Sequence, residues 1–105
     1  MIDFSKSFLK ELKQLSKKYK LIKDDIQLLI KDLEQNQNLG KPLGNNLYKI
    51  RVANSYVPTG KSGGFRVITY IVLENKIVLI KIYSKTEKED LTDIELSNII
   101  KSIDY

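Results

Sequence analysis

The sequence predicts an α+β fold, because helical periodicity and strand periodicity occupy separate parts of the chain. Apolar residues recur every three to four positions in the first third and at the end, whereas the middle alternates with a period of two. The chain has 105 residues, the usual length of one domain, so we expect residues 1–105 to fold as a single domain. The predicted order is (β)-α-α-β-β-β-α, a helical hairpin packed on a small antiparallel sheet with a C-terminal helix.

Two amphipathic helices are predicted over residues 5–19 and 22–36, after a short strand within the first four residues. Ser5 is a suitable N-cap for the first helix. Asp24 and Asp25 favour the dipole at the start of the second helix. The short break between the two helices predicts an antiparallel hairpin.

The middle of the chain is rich in Val, Ile, Tyr and Thr, which is typical of strands. Strands are predicted over residues 47–53, 65–73 and 76–84, with a tight antiparallel hairpin at Glu74-Asn75. The glycines, proline and asparagines of residues 40–46 predict a loop, and residues 54–64 form a longer one.

The C-terminal helix has the clearest start signal. Thr92 and Glu95 have the spacing of a capping box, and Leu91 and Leu96 can form a hydrophobic staple around it. An apolar stripe then continues along one face, at Leu96, Ile99, Ile100 and Ile103.

Several classes of function are excluded by composition. The chain has neither cysteine nor histidine, so disulfides, thiolate or imidazole metal sites and histidine-based catalysis are ruled out. No apolar run approaches the roughly 20 residues of a membrane span, and the N-terminus lacks the apolar region of a signal peptide. We therefore expect a cytoplasmic protein without a membrane partner, cofactor or metal, whose chemistry uses Lys, Arg, Tyr and carboxylates.

Positive charge is concentrated in the middle of the chain. Residues 41–83 carry a net charge of +6, whereas the residues before them carry +2 and those after them −3. This distribution indicates an anionic partner, and nucleic acid is the commonest one. A solvated surface without a partner is the alternative interpretation.

Strand alternation places several of these cations together. Lys49 and Arg51 share one face of their strand, opposite the apolar residues that must face the helices. Arg66 on the next strand, and Tyr83 and Lys85 at the end of the last strand, join the same open face if the strand registers match. An ordinary wet sheet face is the competing interpretation.

Other motifs fail on their context. Gly60-Lys61-Ser62 resembles the end of a phosphate-binding loop, but Ser55 stands where the first glycine belongs and a strand follows instead of a helix. Residues 61–67 resemble an RNA-recognition-motif strand, but the element order is wrong for that fold. The acids Asp24, Asp25, Glu87, Glu89 and Asp90 are interpreted as helix ends and solvated surface rather than metal ligands.

The basic strands resemble those of a known family. LYKIRVA at residues 47–53, GKSGGFRVI at residues 60–68 and IYSKTEKEDL at residues 82–91 together resemble the RelE/HigB branch of the RelE/ParE toxin superfamily. The resemblance implies a toxin of a type II toxin–antitoxin pair that enters the ribosomal A site and cuts mRNA there. The implied partners are a cognate antitoxin, the ribosome and mRNA.

The implied reaction drives the RNA 2′-OH onto the adjacent phosphate and leaves a 2′,3′-cyclic phosphate and a 5′-OH. It needs a base for the 2′-OH, cations for the extra phosphate charge and an acid for the leaving oxygen. Clustered Lys and Arg can serve without histidine, since crowded cations favour a neutral lysine amine and Arg clamps phosphate with two parallel bonds.

The resemblance also assigns roles by position. Lys49 and Arg51 match the family's basic pair, with the titratable Lys49 as the base candidate. Arg66 would hold the scissile phosphate, and Lys85 would stabilise the leaving group. Tyr83 would stack a base or orient a phosphate, and the RNA or ribosome backbone would be gripped by Lys61 and Lys88.

The acid role stays open, because Leu91 stands near the place where the family pattern has a tyrosine. Tyr83, Tyr105 and Lys85 are the candidates, or no acid is essential. Two other functions also stay open: a ParE-like poison of DNA gyrase on the same scaffold, and a basic module that binds nucleic acid without cleaving it.

Overall fold

The computed structural model describes residues 1–56, 64–73, 76–87 and 90–102. Within these ranges the chain forms three helices and a five-stranded sheet, which confirms the predicted α+β class. The helices are α1 (Lys6–Ser16), α2 (Ile22–Gln35) and α3 (Asp93–Ser102). The strands are β1 (Ile2–Phe4), β2 (Lys41–Gly44), β3 (Leu47–Val52), β4 (Phe65–Leu73) and β5 (Lys76–Ser84). No helix in the described part of the chain is long and apolar enough to cross a membrane.

The sheet has the strand order β1-β5-β4-β3-β2. The pairs from β2 to β5 are antiparallel, and strands that follow one another in the chain lie side by side in this part of the sheet. β1 departs from the prediction of an antiparallel sheet because it lies parallel to β5, with Ile2 beside Ile77 and Phe4 beside Leu79. Such a pair needs a long crossover, and the intervening helices and strands provide it.

β2 corrects the prediction of a loop over residues 40–46. Lys41 and Pro42 pair with Lys49 and Tyr48 at the edge of the sheet. An edge strand tolerates a proline, because the missing N–H is not needed by a further strand. The chain then reverses through Gly44, Asn45 and Asn46, which all have positive φ angles, as tight hairpin turns require.

The helical hairpin covers one face of the sheet and encloses the main core. Ser5 caps α1 as predicted, since its Oγ accepts a bond from the Phe8 N–H at 3.0 Å and donates to the Ile80 carbonyl at 2.8 Å. α1 ends at Ser16, three residues before the predicted end, and the turn that follows buries Tyr19. The buried core residues are Phe8, Leu15, Tyr19, Ile22, Ile26, Leu29, Leu33, Ile50, Val52, Phe65, Val67, Ile77, Leu79 and Ile82.

The opposite face carries a second apolar cluster, so part of the predicted open face is covered. Leu96, Ile99 and Ile100 of α3 pack there against the sheet, together with Leu91. The predicted capping box starts α3: the Glu95 N–H donates to Thr92 Oγ1 at 3.1 Å, and the Thr92 N–H donates to Glu95 Oε1 at 3.0 Å. The buried sheet residues of this cluster are Leu47, Ile68, Val78, Ile80 and Tyr83.

Two acidic residues fasten the helices to the sheet region. Glu11 of α1 accepts a bond from the Ile82 N–H at 3.1 Å and pairs with the Lys81 ammonium at 2.7 Å. Asp25 of α2, predicted to serve only the helix dipole, is buried and accepts bonds from the backbone N–H and the hydroxyl of Ser55. The carboxylate of Asp25 therefore fixes the chain that follows β3.

We expect Leu33→Ala to destabilise the fold by about 3 kcal/mol, because the lost side chain leaves a cavity in the main core. The Leu33 side chain is 1% exposed, whereas Leu28 on the same helix is 58% exposed and provides the matched control. Leu28→Ala should change the free energy of unfolding by less than about 0.5 kcal/mol. Urea unfolding of both variants tests this, and equal losses would contradict the described packing of α2.

Candidate active site

The candidate site is built on a row of three residues that crosses the sheet. Arg51 of β3 pairs with Arg66 of β4, and Arg66 pairs with Tyr83 of β5. Directly paired residues project from the same face of a sheet, so the three side chains share one face. Strand alternation sends their apolar neighbours into the main core on the other face. The matching register that the sequence analysis set as a condition is therefore present for these three residues.

Lys49 lies on the same face, two residues before Arg51 on β3. Its side chain is 15% exposed, and its ammonium lies 3.0 Å from each carboxylate oxygen of Asp90. Asp90 precedes α3, and its carboxylate also accepts a bond from the Tyr83 hydroxyl at 3.3 Å. One carboxylate thus bridges the candidate base and the candidate tyrosine.

Asp90 is the site residue that the sequence interpretation missed. From the sequence it is grouped with Glu87 and Glu89 as helix ends and solvated surface, because these acids lack the organised spacing of metal ligands. The signal that could have found it is its place just before the predicted capping box, where the chain must return to the sheet. In the structure, the bond from the Lys49 ammonium is the main reason why the pKa of Asp90 is lowered from its ordinary value.

Tyr83 is buried and keeps its proton. Burial is the main reason why its pKa is raised to about 12; the charge and hydrogen bond of Asp90 act in the same direction, and the guanidinium of Arg66 acts against them. A tyrosine with this pKa is a hydrogen-bond donor throughout the physiological pH range. The site therefore offers an O–H donor beside its cations.

Arg66 is the most enclosed cation of the site. It is 3% exposed, and its Nη1 donates to the Phe65 carbonyl at 3.1 Å. Arg51 beside it is exposed, and no carboxylate of the described residues lies within ion-pairing distance of its guanidinium. The two adjacent guanidinium groups make this part of the sheet a candidate for contact with an anion.

Lys85 directly follows β5, and its N–H donates to the Gly64 carbonyl at 3.0 Å. This bond brings the backbone of Lys85 beside the start of β4, the strand that carries Arg66 as its second residue. Its side chain is half-buried. Lys61, Lys88 and Tyr105, which the sequence analysis also selected, lie outside the described residues.

A cavity of about 490 Å³ lies next to the site, between α2 and β3. Its charged lining residues are Asp25, Asp32, Lys41, Lys49 and Arg51. The two acids weaken the attraction of this cavity for phosphate, which favours the sheet face as the candidate anion-binding surface. Among the described residues, no cluster of three or more carboxylates is arranged to hold a metal ion.

The geometry is suited to binding a tetrahedral anion. Lys49 and Tyr83 direct an N–H and an O–H donor at one point, which the Asp90 carboxylate occupies. Carboxylate and phosphate oxygens are recognised by the same charge-assisted hydrogen bonds. Asp90 consequently marks a position that a phosphate oxygen can take.

We expect Asp90→Asn to lower the pKa of Tyr83 from about 12 while leaving it above the ordinary value, because the carboxylate charge is lost but burial remains. The pH dependence of the chemical shift of the Tyr83 ring carbon that bears the hydroxyl, followed by NMR, gives this pKa. Asp93→Asn, a change of the same charge without a Tyr83 contact, is the control. An unchanged pKa of Tyr83 in Asp90→Asn would show that the two side chains do not interact.

The fold resembles solved toxin structures at low sequence identity. A double-arginine mutant of the E. coli toxin RelE in the free state is 18% identical, with a TM-score of 0.64 over 98% of this chain and 96% of that one. The isolated E. coli RelE toxin is 15% identical, with a TM-score of 0.61 over 98% of each chain. A chain of the intact E. coli RelBE toxin–antitoxin complex is 17% identical, with a TM-score of 0.59 over 80% of this chain and 94% of that one.

A comparison with curated proteins gave no match. The family model for the RelE toxin of the RelE/RelB toxin–antitoxin system matches residues 5–103, which include every element from α1 to α3. The match covers nearly the whole chain and agrees with the fold and with the resemblance of the basic strands. The chain therefore belongs to the RelE toxin family.

Proposed function

We propose that this toxin is a ribosome-dependent mRNA endonuclease that works without a metal ion. The observation that carries the proposal is the row of Arg51, Arg66 and Tyr83 across three strands, with Lys49 beside it. This row supplies cations and a proton donor on one face of the sheet. Phosphodiester cleavage needs both kinds of group, and in a chain without histidine they must come from Lys, Arg and Tyr. Family membership supports the same reaction.

Substrate binding begins with an exchange of anions. A phosphate of the mRNA displaces the Asp90 carboxylate from Lys49 and Tyr83 and comes to lie beside the two arginines. Arg66 clamps the scissile phosphate, and because it is buried, its guanidinium needs little reorganisation during the reaction. Arg51 neutralises further backbone charge at the exposed side of the row.

The chemical step transfers the phosphate from one oxygen to another. Lys49, the titratable member of the basic pair, takes the proton of the 2′-OH in its neutral amine form and becomes an ammonium. The bond between the 2′-oxygen and phosphorus forms as the bond to the 5′-oxygen breaks, which yields a 2′,3′-cyclic phosphate and a 5′-OH. The arginines stabilise the additional negative charge on the phosphate oxygens.

Tyr83 is the candidate for the proton donor to the leaving oxygen. With its pKa raised to about 12, it remains protonated at neutral pH, and its hydroxyl already points at an anion. Lys85 is a second cation for the leaving group, since its backbone lies beside the start of β4. We place Lys61 and Lys88 on the RNA or ribosome backbone, as phosphate contacts outside the reaction centre.

An antitoxin would inhibit this site by covering the basic face. One structural neighbour belongs to an intact E. coli RelBE toxin–antitoxin complex, which supports such a partner for this chain. An antitoxin segment with acidic side chains would compete with Asp90 and mRNA for the same cations. The family match is to the RelE toxin, which favours RNA cleavage over the ParE-like poisoning of DNA gyrase.

We expect Arg66→Lys to lower the rate of mRNA cleavage by roughly 100- to 1000-fold, because lysine keeps the charge but loses the planar pair of donors. Primer extension on mRNA in a reconstituted translation reaction measures the rate, and induction in bacteria should give a matching relief of growth arrest. Lys23→Ala, an exposed change on α2, is the control and should cleave at the wild-type rate. Undiminished cleavage by a folded Arg66→Lys variant would contradict the role of Arg66.

We expect Asp90→Asn to bind a short RNA with a 2′-deoxy cleavage position more tightly, by up to about fivefold, since an exposed ion pair is worth at most about 1 kcal/mol. Fluorescence anisotropy at fixed salt concentration measures the affinity. Asp93→Asn removes an equal charge that does not contact Lys49, so it separates direct competition from the change in net charge. Equal affinities of the two variants would rule out competition by Asp90.

A further inference from the structure

A network of three hydroxyl groups lies on the helical side of the site. The Tyr19 hydroxyl lies 3.2 Å from Ser84 Oγ and 3.3 Å from Thr86 Oγ1, and the latter two oxygens are 2.9 Å apart. The hydrogen bonds of Ser84 and then Thr86 lower the pKa of Tyr19 from its ordinary value. Tyr19 comes from the turn after α1, so the network joins the helical hairpin to the end of β5.

Lys85 lies between the two hydroxyl residues that Tyr19 holds. Its own N–H is bonded to the Gly64 carbonyl at 3.0 Å, so the chain around it is fixed from two sides. A lysine side chain is long and flexible, and its ammonium can be placed reproducibly only when the backbone beneath it is fixed. By fixing the backbone of Lys85, the network reduces the range of positions that its ammonium can reach.

The ring of Tyr19 supports a second part of the site. It packs edge-to-face on Phe65, with ring centroids 5.1 Å apart and an angle of 83° between the planes. Phe65 is fully buried, and its carbonyl accepts the bond from Arg66. Phe65 and Ser84 are direct partners, at the start of β4 and the end of β5. The ring and the hydroxyl of Tyr19 therefore contact the same corner of the sheet, which these two paired residues define.

We propose that Tyr19 is a positioning residue that fixes this corner, and with it Lys85 and Arg66, for phosphodiester cleavage. The inference rests on the proposed function. Tyr19 lies among core residues on the face opposite the basic row, so it acts on the reaction through the backbone of β4 and β5 rather than on the RNA. The hydroxyl of Tyr19 positions Lys85, whereas its ring supports Phe65 and, through it, Arg66.

Tyr19→Phe isolates the hydroxyl. The ring and its contact with Phe65 can remain, and the bond between Ser84 and Thr86 leaves neither of these hydroxyls without a partner. Thr86→Val is a second variant that interrupts the network at its exposed end. Tyr70→Phe on β4 is the matched control, because it removes a tyrosine hydroxyl at the far end of the same sheet.

The test is a double-mutant cycle between Tyr19→Phe and Lys85→Ala, with the single-turnover rate of mRNA cleavage on programmed ribosomes as the measurement. We expect Tyr19→Phe to slow cleavage roughly tenfold, as small misplacements of catalytic groups do. In the Lys85→Ala background the same change should have less than about a twofold effect, because the residue that it positions is absent. Thr86→Val should show the same dependence on Lys85, and Tyr70→Phe should cleave at the wild-type rate.

A role confined to stability would slow cleavage by the same factor with or without Lys85, and this result would overturn the inference. A wild-type rate for Tyr19→Phe, in an assay where the wild-type chain cleaves, would overturn it as well and leave the proposed function intact. If the wild-type chain itself leaves mRNA uncut, the proposed function fails and the inference fails with it. Should Tyr19→Phe not fold, Thr86→Val decides by the same criteria.

Discussion

The pairing of Arg51 with Arg66 across β3 and β4 is the arrangement on which the candidate site depends. Like charges in directly opposed positions destabilise a sheet, and a buried guanidinium is costly unless it is hydrogen-bonded. The structure accommodates the pair by exposing Arg51 and by bonding Arg66 to the Phe65 carbonyl. A phosphate placed beside them would reverse the repulsion, because both cations would then share one anion. The pairing that costs stability in the free protein would therefore favour the binding of RNA in the proposed reaction.

The site residues are held in place because they alternate along each strand with residues of the main core. Arg51 lies between Ile50 and Val52, and Arg66 lies between Phe65 and Val67. These apolar neighbours are buried under the helical hairpin on the opposite face. Any shift of a site residue along its strand would move a core residue out of its place, so the packing of the hairpin sets the positions of the cations.

Much of this organisation follows from periodicity in the sequence. The period of two predicted that Lys49 and Arg51 share a face, and the capping box predicted the start of α3. The register between β3, β4 and β5 could not be predicted, because each strand alone fixes only which face a side chain takes. β2 was not predicted, because its proline and glycine are typical of loops. Both residues are tolerated there because β2 lies at the edge of the sheet.

The role of Asp90 is only partly indicated by its place before the capping box. It depends on where the segment after β5 returns to the sheet, and that path is set by the packing of Leu91 and α3 on the second cluster. For the same reason the open face of the prediction is partly covered. A local pattern does not reveal that a carboxylate distant in sequence will reach Lys49.

In the proposed reaction, lysine, arginine and tyrosine side chains of this sheet break RNA in the ribosome without imidazole or metal. The chemistry of the mRNA ends tests this, mapped from cells that express the toxin with translation active and with translation blocked. We expect cuts that depend on translation, each with a 2′,3′-cyclic phosphate on one side and a 5′-OH on the other. Intact mRNA during growth arrest, or cuts that carry 5′-phosphates, would contradict it.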